Sequence, residues 1–143
     1  MALKVFFDAN VLLDFFLDRS DQSNELTRIF RWVDEGKISG YWSISVIQIC
    51  SYYICKAKGV AIGKELLELM LEKFALISGD RHTVTVALKS SQSDIEDAIH
   101  YFMALENGID IILTSDQDFQ KLSSNSLRIL SIKELETFCS EHL

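Results

Sequence analysis

A chain of 143 residues with 48% apolar and 24% charged side chains has the balance of a folded domain and enough length to bury a core without disulfide or metal staples. The net charge of −7 argues against a non-specific nucleic-acid binder held by a broad basic surface, though it leaves room for an acidic, cation-filled site. The apolar runs are shorter than a membrane span and the first residues lack the features of a signal peptide, so one cytoplasmic domain over 1–143 is expected.

Leu3 to Phe7 is a short apolar run that reads as a buried strand ending at Asp8. A short helix follows through Val11 to Leu17. Ser23 to Glu35 is helical, with Leu26, Ile29, Phe30 and Val33 on one face. Ile38 to Ile44 reads as a strand, Ser45 to Lys58 as a helix and Ile62 to Phe74 as another. Ala75 to Ser78 fits a short strand. Thr83 to Lys89 is rich in valine and threonine, yet a helix is preferred. Ser93-Asp94-Ile95-Glu96 has the form of a capping box and opens a helix to about Asn107, stopped by Gly108. Ile109 to Leu113 is a second buried strand, Phe119 to Leu122 a helical turn, and Leu127 to Leu130 a third strand. Ser131-Ile132-Lys133-Glu134 caps the last helix.

There is no proline, and the glycines Gly36, Gly40, Gly59, Gly63, Gly79 and Gly108 punctuate the chain instead. Strands separated by helices imply an α/β fold: a three-layer α/β/α sandwich around a mainly parallel sheet. Cys50, Cys55 and Cys139 lack metal-ligand spacing and are read as core thiols. Lys56, Lys58, Lys64 and Lys73 are read as a solvated helix face. Trp32, Trp42, Tyr52 and Tyr53 are assigned to core packing by default.

Ligands in such sheets bind beyond the carboxyl ends of the strands. Asp8 and Asp116 stand at two such ends. Asp8 can ligate a metal or simply cap the following helix; Asp116 likewise. Asp97 lies in the first turn of its helix, where an acid favours the dipole. It also borders the apolar face of Ala98, Ile99, Phe102 and Leu105, and an acid at a core boundary needs a partner. Two like charges at 4 Å cost about 4 kcal/mol at an effective dielectric near 20. Gathered carboxylates therefore require a cation or protonation, and hard oxygen donors suit Mg²⁺ or Mn²⁺.

Three segments together resemble the PIN-domain family: Phe6-Phe7-Asp8-Ala9-Asn10-Val11-Leu12-Leu13-Asp14, Asp94-Ile95-Glu96-Asp97-Ala98-Ile99, and Ile111-Ile112-Leu113-Thr114-Ser115-Asp116-Gln117-Asp118-Phe119. The resemblance implies Mg²⁺- or Mn²⁺-dependent cleavage of RNA by Asp8, Asp97 and Asp116, which would be both catalytic residues and metal ligands. Asn10, Thr114 and Asp118 would support them. Many small relatives are toxins paired with an antitoxin, and homodimers are common. The chain departs from the family at two places. The helix after the second strand usually carries a glutamate, whereas Ser45 to Tyr53 has no carboxylate; Gln48, Cys50 or Ser51 is expected in its place. Ser115 stands where many relatives carry Arg, which removes one phosphate contact. The first departure leaves open a catalytically degenerate PIN domain that binds RNA or protein. A haloacid-dehalogenase-like phosphatase with Asp8 as nucleophile is a third reading, weakened by Asn10 and Leu12 at its acid and hydroxyl positions.

Overall fold

The computed structural model describes residues 1–143. The elements run β1 (Leu3–Phe7), α1 (Ala9–Phe16), α2 (Ser23–Asp34), β2 (Ile38–Trp42), α3 (Ile44–Lys58), α4 (Val60–Lys73), β3 (Phe74–Leu76), α5 (Arg81–Lys89), α6 (Ile95–Glu106), β4 (Ile111–Leu113), α7 (Gln117–Gln120), β5 (Arg128–Leu130) and α8 (Ile132–His142). The five strands form one sheet in the order β3-β2-β1-β4-β5, and every pairing is parallel. The expected α/β architecture is therefore present, with a wholly parallel rather than mainly parallel sheet.

Val5, Phe6 and Phe7 of β1 and Ile111, Ile112 and Leu113 of β4 are all buried. Successive strand residues point to opposite faces, so both faces of these strands are covered. Phe7, Phe30, Phe74 and Trp42 form an aromatic group, with Phe7 and Phe74 centroids 4.7 Å apart in an edge-on contact. Gly40 on β2 makes this packing possible: a Cβ there would lie 2.8 Å from the Phe74 ring. Gly40 is thus a close-approach residue inside a strand, and Gly63 likewise lies inside α4, so neither ends a helix. Gly59, at φ 89° and ψ 162°, joins α3 to α4 in a conformation that only glycine adopts readily.

Several boundaries differ from expectation for reasons of capping. Asp8 accepts from the Ala9 N–H, so α1 begins immediately after β1. Ser43 accepts from the Val46 N–H, which ends β2 at Trp42 and starts α3 at Ile44. The expected box at Ser93 and Glu96 does not form, and the helix starts one residue later. Asp94 is the cap and accepts from the Asp97 N–H at 3.0 Å, because its carboxylate also meets the positive end of the helix. Thr83 to Lys89 is helical, fixed by a reciprocal cap between Asp80 and Thr83. Ser131 and Glu134 form the expected box. Asp116 caps the turn after β4, one of its two expected roles, and the turn covers Gln117–Gln120. Cys50 and Cys139 are buried and Cys55 is partly so. Trp42 is core, but Tyr52 and Tyr53 are 61% and 46% exposed on α3, contrary to the core assignment. No helix is long and apolar enough to cross a membrane.

Candidate functional site

The sheet order makes β1 the point from which the chain turns both ways: β2 and β3 lie on one side of it, β4 and β5 on the other. The crevice beyond the carboxyl ends of β1 and β4 is the topological switch point. Asp8 leaves β1 at that crevice, and Thr114-Ser115-Asp116 leaves β4 there.

A hydrogen-bond network joins the two strand ends. Thr114 is buried, and its Oγ1 donates to Asp8 Oδ2 at 2.8 Å while accepting from the Asp116 N–H at 3.1 Å. Asn10 Nδ2 donates to Asp8 Oδ2 and to Thr114 Oγ1, each at 3.3 Å, and its Oδ1 accepts from the Ser115 N–H at 3.1 Å. Asp8 Oδ1 accepts from the Ala9 N–H at 2.8 Å. The Asp8 carboxylate is thus held by donors on both oxygens. Asp116 Oδ1 caps α7 through the N–H groups of Asp118 and Phe119, while Oδ2 has no partner. The Asp118 side chain points away, pairing with Lys121 at 3.1 Å, and only its N–H serves the site.

Asp97 enters from α6. The buried residues Ala98, His100 and Ala104 show that the inner face is rotated from the one inferred from Ile99, Phe102 and Leu105; Leu105 is exposed. Asp97 therefore shares a face with His100 and Ala104, at spacings of three and seven residues, rather than bordering it. His100 fixes this face: Nε2 lies 2.9 Å from Ser45 Oγ, which lies 3.0 Å from the Ser43 hydroxyl that caps α3. The His100 ring also packs 5.5 Å from Phe6. Neither His100 nor Ser45 carries a motif that marks it in the sequence.

Asp8, Asp97 and Asp116 line one cleft of about 410 Å³, together with Asp94, Glu96 and Asn10. No hydrogen bond reaches the Asp97 carboxylate. Its burial, followed by the charges of Asp94, Asp116, Asp8 and Glu96, pushes its pKa up to about 7. The donors are all hard oxygens, the set suited to Mg²⁺ or Mn²⁺, and their mutual repulsion is what a cation relieves. As the side chains lie, no three His, Cys, Asp or Glu groups converge to enclose an ion. The rest of the lining is Ala9 and Leu13 of α1, Arg19, and Ile49 and Tyr53 of α3. None of Gln48, Cys50 and Ser51 lines the cleft; Ile49 does. Gln48 is exposed, Cys50 is buried, and Ser51 donates to the Gln48 carbonyl. A larger groove of about 700 Å³ beside α8 contains Arg128, Lys133, Glu134 and Glu141, but it lies away from these aspartates and is mixed in charge.

The family model of the PIN domain matches residues 4–118, a span that includes all three aspartates. The chain belongs to the PIN-domain family. As a PIN domain it resembles several solved structures in fold. A protein of Pyrobaculum aerophilum matches at TM-score 0.66 and 14% identity, covering 99% of this chain and 98% of that one. VapBC2 of Rickettsia felis, bound to a DNA fragment from its promoter, matches at TM-score 0.64 and 12% identity, covering 90% of this chain and 98% of that one. VapC20 of Mycobacterium tuberculosis, described as a sarcin-ricin loop cleaving toxin, matches at TM-score 0.63 and 10% identity, covering 82% and 93%. No curated protein matches the chain by sequence. The phosphatase reading falls with this assignment, and Leu12, at its hydroxyl position, is wholly buried.

Proposed function

We propose that this PIN domain is a divalent-metal-dependent ribonuclease acting on single-stranded RNA in the cytoplasm, as the toxin of a toxin–antitoxin pair. The observation that carries the reading is the meeting of Asp8, Asp97 and Asp116 in one cleft beyond the ends of β1 and β4, where burial and the neighbouring charges push the Asp97 pKa up. Asp8, Asp97 and Asp116 would hold Mg²⁺ or Mn²⁺. A bound ion supplies Lewis-acid stabilisation of charge on the phosphate and a more acidic water. Asp8, clamped by Thr114 and Asn10, offers a fixed carboxylate at the base of the cleft. Asp116 keeps one oxygen free, and Asp97 would give up its proton on holding an ion. Tyr53, half exposed at the cleft, offers a face on which an unpaired base can stack.

The toxin assignment is supported by the neighbours described as VapBC assemblies and as a cleaving toxin. An antitoxin or a second copy of the chain would cover the apolar side chains that α4 exposes, among them Val60, Ile62, Leu69 and Leu71. The purified protein should cut a single-stranded RNA when Mn²⁺ is supplied, and Asp8→Asn should abolish the cut. Equal cleavage by both proteins would refute the nuclease assignment.

A second reading, a degenerate PIN domain that binds without cutting, is favoured by Ile49 at the cleft position on α3. Calorimetric titration separates the two. Mn²⁺ binding that disappears in Asp97→Asn supports the nuclease; no heat with the parent protein supports the binding module.

A further inference from the structure

The acidic cleft poses a problem for any phosphodiester. Five carboxylates, those of Asp8, Asp94, Glu96, Asp97 and Asp116, line it, and a polyanion approaching them is repelled. Arg19 is the single cationic side chain in the lining. It comes from the segment just after α1. The Arg19 N–H donates to the Asp14 carbonyl at 3.1 Å, across Asp18 at φ 50°. This is the six-to-one bond of a Schellman-type closure, and it folds Arg19 back over the last turn of α1. The closure uses an aspartate in a left-handed conformation, where glycine is the usual choice.

The same turn orients the guanidinium. Arg19 Nε donates to Asp14 Oδ1 at 3.1 Å, and the two terminal nitrogens have no protein partner. Asp14 is the more buried of the pair, at 21% exposure against 43% for Arg19, so the carboxylate is the fixed half and the guanidinium faces outward. The charge of Arg19 also extends to the core behind the cleft. The buried Cys50 thiol, pushed up to about 12 by burial and by Asp8, is partly lowered again by Arg19.

We infer that Arg19 is the phosphate-binding residue of the cleft, receiving two oxygens of a phosphodiester on its terminal nitrogens, with Asp14 as its positioning residue. This rests on the nuclease reading above. A fork with its Nε occupied and both terminal nitrogens free matches a phosphate bidentately, whereas a lysine contributes only a point charge. Arg19 thereby supplies, from the turn after α1, the cation that is missing at Ser115.

The test is binding of a fluorescein-labelled single-stranded RNA decamer, followed by anisotropy with Mn²⁺ across a series of KCl concentrations. Asp8→Asn serves as the parent so that the RNA is not consumed. Adding Arg19→Gln should weaken binding about tenfold or more. It should also lower the slope of log K against log salt by about 0.7, the value of one phosphate contact on a single strand. Arg19→Lys should keep the slope and recover part of the affinity. Circular dichroism confirms folding of each variant. If Arg19→Gln binds with unchanged affinity and slope while the wild-type protein cleaves RNA, this inference alone falls. If the wild type does not cleave and the parent does not bind, the nuclease reading falls and takes the inference with it.

Discussion

The Thr114 hydroxyl donates to the Asp8 carboxylate at 2.8 Å, linking residues that are 106 positions apart in the chain. The bond crosses from the end of β4 to the end of β1, the two strands whose divergence opens the cleft. It fixes one oxygen of Asp8, while the Thr114 oxygen accepts from the Asp116 N–H. One buried side chain therefore orients two of the three aspartates.

Thr114→Val keeps the shape of that side chain and removes its hydrogen bonds. A hydrogen bond to a charged acceptor contributes about 1.5–3 kcal/mol, so a loss of stability near that range is expected. Thr114→Ser should retain most of it. Urea unfolding at neutral pH measures both, and a valine variant as stable as the wild type would show that the bond contributes nothing net.

Asp97 makes the metal-free protein sensitive to pH in a defined direction. Its folded-state pKa is about 7 against an ordinary 3.8, raised first by burial and then by Asp94, Asp116, Asp8 and Glu96. The folded state holds this proton more tightly than the unfolded chain does. Stability contributed by the protonated form is present at about pH 4, falls as pH rises through 7, and is level above that. Asp97→Asn removes the ionisation. In EDTA the variant should melt at a higher temperature than the wild type at about pH 8, and the difference should close by about pH 4. A gain that is the same at both pH values would mean that Asp97 ionises normally.

Ile49 lines the cleft from α3, as Tyr53 does one turn on, while Gln48 and Cys50 do not. Ile49→Glu should therefore add a carboxylate to the site. With EDTA present the melting temperature should drop, since each like-charged pair costs up to about 4 kcal/mol at close range. Mn²⁺ should restore it, and Mn²⁺ affinity should rise by about tenfold with the added ligand charge. Unchanged affinity in calorimetry would place residue 49 outside the ligand sphere.

What the sequence alone determined was everything set by local chemistry. Buried strands appear as apolar runs, and Asp8 and Asp116 mark their ends as residues that cap the next helix. The box at Ser131 and Glu134 is likewise complete within four residues. Even the cap expected at Ser93 missed by one position, since Asp94 accepts from the Asp97 N–H and its charge suits the helix N-terminus better than the serine hydroxyl. Only the tertiary structure decided what depends on rotation and order. Ile49, not Gln48 or Cys50, faces the cleft because Ser43 sets the start of α3 and His100 holds Ser45 from across the fold. The Asp97 face turned inward because His100 and Ala104 pack there while Leu105 does not. Arg19 reaches the carboxylates because a left-handed turn at Asp18 returns it to Asp14. These placements join residues from different elements, and the energy that selects them exists only once the sheet has set β1 beside β4.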